Sequence, residues 1–417
     1  MNDYISQTSK PNYRFLLFLL LLTSGPIPLK LVALLFIKVP LKVRTRVSLA
    51  KAFYIFIASY SLVYGALFLF NQNYWIAYFL VLLFWIIAFI AFCEIENFIK
   101  QNDFQTINAT INCYFFINFI FVVQQLISII IYSGSLNPFN ASASHGDMIM
   151  GIYSNSSINM IVMGFYAIYF FYKRSLGKLF IALFCFLMTG YMSGLLILLV
   201  ALTMFFFLFE KRISLKIYSI LIIISIIVFY YFFSRENYDY ALGYINRALA
   251  FDAKMPFKLK SYIQTYHYWT DSAANFIFGA GPGNFSSRVT FVVSGDYVGW
   301  YPESLSYVSK SFAKNHFWIW NYDFNNPWDN INNAANQPFS AYNQIIGEYG
   351  LIGLIAFIFL YIGFWMRGFM SLTYGKIIFI SFLGYLVLDY WFEYFSVVIL
   401  FELFMLLNRK ESETAKL

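Results

Sequence analysis

Long, almost uncharged apolar segments recur along this chain, and they restrict its fold more than any other feature. Examples are residues 53–70, 74–93, 111–132 and 216–233. Each runs for about 18 to 22 residues, enough for a helix rising about 1.5 Å per residue to cross a hydrocarbon core of about 30 Å. Hydrophobic residues make up 60% of the chain and charged residues 12%, a balance that soluble domains do not have. These segments predict membrane-spanning helices.

Lys and Arg are concentrated in alternate connections between the apolar segments. They cluster at residues 42–51, 173–178, 211–216 and 409–416, and they are absent from 71–73, 133–157 and 189–193. Because basic connections stay in the cytoplasm, this asymmetry orients the helices. It also accounts for the formal net charge of +8, so nucleic acid is not expected as a partner.

The pattern predicts an all-α polytopic membrane protein with about twelve transmembrane helices and both termini in the cytoplasm. Residues 1–233 would hold about nine helices, and 351–417 about three helices and a cytoplasmic tail. Residues 234–350 contain no run long enough to cross and form one large, partly helical loop outside the membrane. The two short runs at 15–23 and 29–39 fit either two compact helices turning at Pro26 and Pro28 or one broken helix.

The outside loop is dense in Tyr, Trp and Asn, especially at residues 262–269, 300–301 and 318–333. Aromatic faces stack on the C–H faces of sugars, and amides pair with hydroxyl groups. This composition suits a glycan. The alternative is an aromatic belt at the membrane interface, with Asn in turns.

Two motifs in or beside this loop contain candidate functional residues. Residues 279–285, Gly-Ala-Gly-Pro-Gly-Asn-Phe, could wrap backbone N–H groups around an anion or could form a tight turn. Residues 338–353 lead into an apolar segment and place Glu348 at the membrane edge, where a carboxyl group can serve as acid, base or hydrogen-bonding anchor.

The order of these motifs resembles the O-antigen polymerase and ligase superfamily, and most of all its polymerase (Wzy-type) branch. Residues 151–159 and 189–195 are similar to two further family stretches. The chain also departs from the pattern. Phe339 stands where many relatives carry His, Met192 where Arg is frequent, and Ser261, beside Lys260, where an Arg is usual.

The resemblance implies polymerisation of undecaprenyl-pyrophosphate-linked oligosaccharide repeat units into O-antigen or a related polysaccharide. The enzyme would be a metal-independent glycosyltransferase without a cofactor, in the bacterial inner membrane, with its active site facing the periplasm. Its partners would be lipid-linked donor and acceptor glycans, membrane lipids and a chain-length regulator protein.

The same resemblance supplies expectations for individual residues. Arg247, Lys260 and Arg288 are expected to bind the carrier pyrophosphate, unless they reach lipid headgroups or pair with Asp239, Asp252 or Asp296. The remaining substrate-binding candidates are Gly279, Gly281, Gly283 and Asn343. His316 and Glu348 are the leading candidates for the base, followed by His267, Asp329 and His145.

Two other functions fit part of the pattern. A ligase that transfers glycan to lipid A–core belongs to the same superfamily, but Phe339 removes the histidine that it would use. A lipid-linked oligosaccharide flippase would also have about twelve spans, and Lys30, Asp389, Glu393 and Glu402 could line its path.

Overall fold

A computed structural model describes residues 10–24, 27–37, 47–68, 74–135, 137, 149–209, 211, 213–250, 255–295, 297, 301–320 and 337–415. Within these ranges the secondary structure is helical, as predicted. The principal helices are α1 (Tyr13–Ser24), α2 (Ile27–Ala33), α3 (Leu49–Phe68), α4 (Tyr74–Gln101), α5 (Phe104–Ser133), α6 (Ser156–Tyr172), α7 (Leu176–Met188), α8 (Met192–Leu208), α9 (Ile213–Phe233), α10 (Arg235–Ala250), α11 (Phe257–Thr270), α12 (Ala273–Phe278), α13 (Arg288–Val293), α14 (Lys310–Phe312), α15 (Ala341–Ala356), α16 (Gly363–Met366), α17 (Tyr374–Tyr385), α18 (Trp391–Tyr394) and α19 (Ser396–Thr414).

Four stretches of the described chain are long and apolar enough to cross a membrane. They are Leu49–Leu67, Tyr74–Gln101, Phe104–Ser133 and Ala341–Ser371. Shorter apolar helices include α1, α6, α7, α8 and α17. The helical, membrane-like class is confirmed, whereas the count of about twelve crossings stays a prediction.

The N-terminal apolar runs form two compact helices that lie side by side. Arg14, at the start of α1, donates to the backbone oxygen of Phe36, which ends a 3₁₀ turn just after α2. The Arg14 guanidinium also pairs with the buried Glu94 carboxylate on α4. Because Phe36 returns to the level where α1 began, α1 and α2 run in opposite directions.

Aromatic packing holds the bundle together. The rings of Phe382 and Phe401 stack with centroids 3.8 Å apart, and Phe15 stacks on Phe98 at 3.7 Å. One buried carboxyl group joins three helical segments, because Glu402 accepts hydrogen bonds from the hydroxyls of Tyr54 (2.6 Å) and Tyr361 (3.0 Å).

The helix that returns to the membrane begins earlier than its predicted start at residue 351. It begins at Ala341, where the Ser340 side chain caps it by accepting from the Tyr342 and Asn343 N–H groups. A kink at Gly350 (φ 59°, ψ −154°) interrupts it. Residues 341–350 are therefore one arm of a broken helix, and α11 and α12, from the segment predicted to lie outside the membrane, pack against α15.

Candidate functional site

The glycine motif at 279–283 forms a turn, here called the glycine turn, between the outside loop and the membrane helices. Three tyrosine hydroxyls on α3 and α4 donate to its carbonyl groups and the one just before it. Tyr60 donates to Phe278 O (2.6 Å), Tyr64 to Ala280 O (2.9 Å) and Tyr74 to Pro282 O (3.0 Å). These bonds hold one edge of the turn to the membrane helices.

The backbone of the glycine turn also pairs with the kinked arm of α15. The Ala280 N–H donates to Gly347 O (2.7 Å), and the Gly281 N–H donates to Glu348 O (3.0 Å). At Gly279 (φ 73°) a Cβ would lie 2.6 Å from the Glu348 carbonyl carbon, and at Gly350 one would lie 2.5 Å from Ile277 O. Glycine is needed at both positions because the two backbones approach too closely for a side chain.

The buried carboxylate of Glu348 is surrounded by hydrogen-bond donors from the turn and from the start of α13. Its exposed fraction is 0%. The donors are the N–H groups of Gly283 (2.8 Å), Phe285 (3.2 Å), Ser286 (3.1 Å) and Ser287 (2.9 Å) and the Thr290 hydroxyl (3.1 Å). The end of the glycine turn and the residues that follow it thus place N–H groups around an anion, as the sequence suggests, and that anion is Glu348.

A second buried carboxylate completes the capping of α13. Glu393, on α18, accepts from the Val289 N–H (3.2 Å) and from the Gln344 side-chain amide (2.8 Å). Glu348 and Glu393 therefore occupy the N-terminal donors of this short helix. We infer that both carboxylates anchor the loop to the bundle.

Comparison with known proteins bears on this arrangement of turn, short helix and kinked α15. Residues 177–358 match the family model described as O-antigen ligase. This match supports membership of the O-antigen ligase and polymerase superfamily. The match runs from α7 through the glycine turn and past the Gly350 kink. No curated protein and no solved structure matches the chain.

Asn343, a substrate-binding candidate, lies in a buried polar network. Its side-chain oxygen accepts from the Thr265 hydroxyl (2.9 Å), and its amide donates to Ser261 Oγ (3.0 Å) and Pro338 O (3.2 Å). These contacts hold α11 and the segment before α15 against the first turn of α15.

Phe339, at the position where the family resemblance predicts a His, lies in a buried aromatic cluster. Its ring centroid is 4.6 Å from Phe291, 4.8 Å from Tyr390 and 5.8 Å from Tyr297. Only 4% of Phe339 is exposed. The position of the missing histidine is filled by packing, and it offers no base.

His316 is fully buried beside the same network. Its Nε2 lies 3.2 Å from both Ser261 O and Thr265 Oγ1, and its ring is 4.6 Å from Phe285. Its Nδ1 is buried and, within the described part of the chain, has no hydrogen-bond partner. Burial lowers the pKa of His316 to about 3, so the ring is neutral at pH 7 and can accept a proton only at high energetic cost.

Sequence reasoning missed Lys258 as the buried cation of α11. Its ammonium donates to Phe339 O and to Leu388 O (2.8 Å), and only 2% of the residue is exposed. Burial lowers the pKa of Lys258, an effect that nearby Asp389 opposes. The sequence does show Lys258 two residues before Lys260 in the same helix. Only the packing shows that Lys258 is the one that points inward.

The three cations expected to bind pyrophosphate lie on different helices. Arg288 is half-buried at the start of α13, with its guanidinium carbon 4.4 Å from the Tyr394 ring centroid. Lys260 lies on α11 over the Phe257 ring at 4.9 Å. Arg247 lies near the end of α10, a helix that packs against α8 and α9. Of the three, Arg288 is the cation at the junction of loop and bundle.

The remaining candidates for the base are distributed elsewhere. His267 is exposed near the end of α11, while His145 and Asp329 lie outside the described residues. Where the structure describes side chains, no group of three His, Cys, Asp or Glu could hold a metal ion. The structure thus brings together Glu348, Gly279, Gly281 and Gly283, and, in a second group, His316 and Asn343.

We predict that Glu348→Gln unfolds the docked loop. The NH₂ group of the new glutamine would face backbone N–H groups that now donate to the carboxylate, so buried donors would lose their acceptor. We expect this loss to lower the free energy of unfolding by about 2 to 4 kcal/mol. A fall in the thermal unfolding midpoint measures this loss. Glu303→Gln, at an exposed residue of the same loop, is the control. An unchanged midpoint with lost activity would instead favour Glu348 as the base.

Gly279→Ala should destabilise the protein by about 2 kcal/mol or more, because a Cβ at positive φ meets the α15 backbone. Gly243→Ala is the matched control: its Cβ would meet nothing within 4 Å on helix α10, so it should be neutral or stabilising by less than about 1 kcal/mol. Thermal unfolding of both variants tests the pair, and equal midpoints would refute the close approach.

His316 should make the protein sensitive to acid. Because its folded pKa of about 3 lies below the unfolded value of 6.5, the unfolded chain binds more protons between these values. Stability is therefore complete above about pH 6.5 and falls by about 2 kcal/mol on going to pH 5. His316→Gln should flatten this dependence in unfolding measured against pH, whereas exposed His267→Gln should retain it; parallel profiles for wild type and His316→Gln would contradict it.

Proposed function

We propose that this protein polymerises oligosaccharide repeat units carried on undecaprenyl pyrophosphate, by glycosyl transfer at the periplasmic face of the bacterial inner membrane. The family match supports glycosyl transfer by a polymerase or a ligase in a multi-pass membrane protein. The choice of polymerase depends on one position in the site, residue 339.

Phe339 is the observation that favours the polymerase. A ligase of this superfamily is expected to use a histidine there, and this chain places a phenylalanine against Phe291 and Tyr390. Its carbonyl accepts from buried Lys258, so the segment that would present a base is fixed in an apolar environment. A histidine-dependent transfer through this position is therefore disfavoured.

The reaction places two demands on the site. The acceptor hydroxyl oxygen attacks the anomeric carbon of the donor, the bond from that carbon to the pyrophosphate oxygen breaks, and the hydroxyl proton leaves. A cation must stabilise the departing pyrophosphate. Arg288 fits this role because its planar guanidinium lies half-buried between the loop and the bundle, within an aromatic setting that suits a sugar.

The proton acceptor is constrained by the surroundings of the two leading candidates. Glu348 already accepts five hydrogen bonds, which occupy its oxygens and leave no route to an acceptor hydroxyl. His316 is neutral and has an unpartnered Nδ1 in the described structure, but it is fully buried. We propose that His316 acts as the base after the π-helical segment Ala313–Phe317 that carries it opens, because exposure to water would remove the burial that lowers its pKa.

The competing functions remain separable by their products. The family match gives no support to a flippase. A ligase stays the second candidate because the family model carries that description.

Deletion of this gene should leave single repeat units on the cell surface and remove the chain-length ladder seen on electrophoresis of surface glycan. Complementation with the wild-type chain should restore the ladder, and Arg288→Ala should fail to restore it while reaching the membrane at wild-type abundance. If the deletion removes both single units and the ladder from the cell surface while lipid-linked units still reach the periplasmic face of the inner membrane, the protein is a ligase. If the units do not reach that periplasmic face, the protein is a flippase.

A further inference from the structure

A cavity of about 450 Å³ opens at the end of the helix bundle that is predicted to face the cytoplasm. Two of the stretches long enough to cross a membrane reach it, Leu49–Leu67 with its first residue and Ala341–Ser371 with its last. The charged end of α19 forms the remaining wall. The cavity therefore lies where membrane helices end, and its volume is within the range of about 300 to 1,000 Å³ that is typical of ligand sites.

The guanidinium group of Arg409 is fixed in the wall of this cavity. Its Nη2 donates to Phe364 O (2.8 Å) and to Arg367 O (2.7 Å), at the end of α16. Its guanidinium carbon is 4.5 Å from the Phe364 ring centroid. Within the described residues both bonds use one of its three nitrogens, and a guanidinium has five N–H groups. Arg409 is thus held in place with capacity for a further acceptor.

Arg367 supplies a second cation to the same cavity. It directly follows the last residue of α16 and is exposed. Among the described residues, neither Arg367 nor Arg409 forms an ion pair within 4.0 Å. One carboxylate, the exposed Glu413, also lines the cavity. Two arginines and one glutamate give the lining a formal charge of one positive.

The lining also contains a hydroxyl group that can donate to a ligand. Ser48 Oγ accepts from the Lys51 N–H (3.4 Å), which uses a lone pair and, within the described structure, leaves its proton for another acceptor. Ser371 and Ser412 instead donate to backbone carbonyl groups at 2.7 and 2.9 Å. Ser48 is therefore the neutral donor that can join the two arginines in contacting an anion.

Exposed apolar side chains border these polar groups. Met366 and Met370, on either side of Arg367 in the sequence, are 49% and 72% exposed, and Val47 is 53% exposed. At the end of a membrane-spanning stretch such side chains are suited to acyl chains, because contact with lipid removes their apolar surface from water. A ligand with an anionic head and apolar tails matches both surfaces, whereas a soluble phosphate compound matches the polar groups alone.

We propose that this cavity binds the headgroup of an anionic phospholipid, whose phosphate contacts Arg367, Arg409 and Ser48. Arginine stays charged and forms paired bonds with phosphate oxygens, and basic pockets between membrane helices on the cytoplasmic side are suited to anionic headgroups. The bound lipid joins the ends of α3, α16 and α19, so it stabilises the folded bundle. The inference is independent of glycosyl transfer, because no residue of the candidate functional site lines this cavity.

Binding of a defined lipid to the full chain tests this site. The protein in dodecyl maltoside is titrated with dioleoyl phosphatidylglycerol, and native mass spectrometry gives the dissociation constant of the first bound lipid. Arg367→Gln should weaken binding about tenfold or more, because a charged contact with the phosphate is lost. Arg174→Gln, at an exposed arginine of another connection predicted to be cytoplasmic, is the matched control and should bind as wild type does.

Glu413→Gln should have the opposite effect. Removing the one carboxylate of the lining removes its repulsion of the phosphate, so binding should tighten about threefold. If Arg367→Gln does not fold, this variant decides the question, since unchanged or weaker binding overturns the proposal. Equal binding by Arg367→Gln and Arg174→Gln also overturns it, as does equal affinity of the wild-type protein for dioleoyl phosphatidylcholine.

Thermal unfolding distinguishes a lipid from a soluble phosphate compound. Phosphatidylglycerol should raise the unfolding midpoint of the wild-type protein and not that of Arg367→Gln, while the two proteins should have equal midpoints without lipid because Arg367 is exposed. Glycerol 3-phosphate at the same concentration should leave both midpoints unchanged. Equal stabilisation by glycerol 3-phosphate would identify a soluble ligand and overturn the lipid assignment.

Discussion

The contact between the Glu348 carboxylate and the N–H groups of residues 283–287, at and after the end of the glycine turn, organises the rest of the site. Four backbone donors and one hydroxyl converge on a carboxylate that has no exposed surface. A buried charge is stable only when it is paired or hydrogen-bonded in this way. The segment predicted to lie outside the membrane is therefore attached to the helix bundle by an anion that belongs to the protein itself.

This attachment has a consequence for substrate binding. The donors of the glycine turn and of α13 are already used by Glu348 and Glu393, so they are not free for phosphate. Arg288 lies at the same junction, with its guanidinium over the Tyr394 ring. Under the proposed function, Arg288 is therefore the group at this junction that would contact a lipid-linked anion.

Part of the site follows from sequence alone. The spacing of the glycines and of Glu348 predicts an anion-wrapping turn, which the structure contains, and a carboxylate near the membrane edge, which stays a prediction. The sequence could not show that they meet, because the contact joins residues 61 to 65 positions apart. Likewise, Lys258 and Lys260 are equivalent as charges in a sequence, and only helix packing buries Lys258.

Local chemistry determined the class of this protein: apolar run length and the placement of Lys and Arg indicate membrane helices and their orientation, since both depend only on transfer between water and lipid. The order of motifs added the superfamily. Tertiary structure alone decided which polar groups form hydrogen bonds within the protein. It also decided which cations in the described chain have no ion-pair partner. Hydrogen bonding and burial depend on which distant segments touch, and no local pattern encodes those contacts.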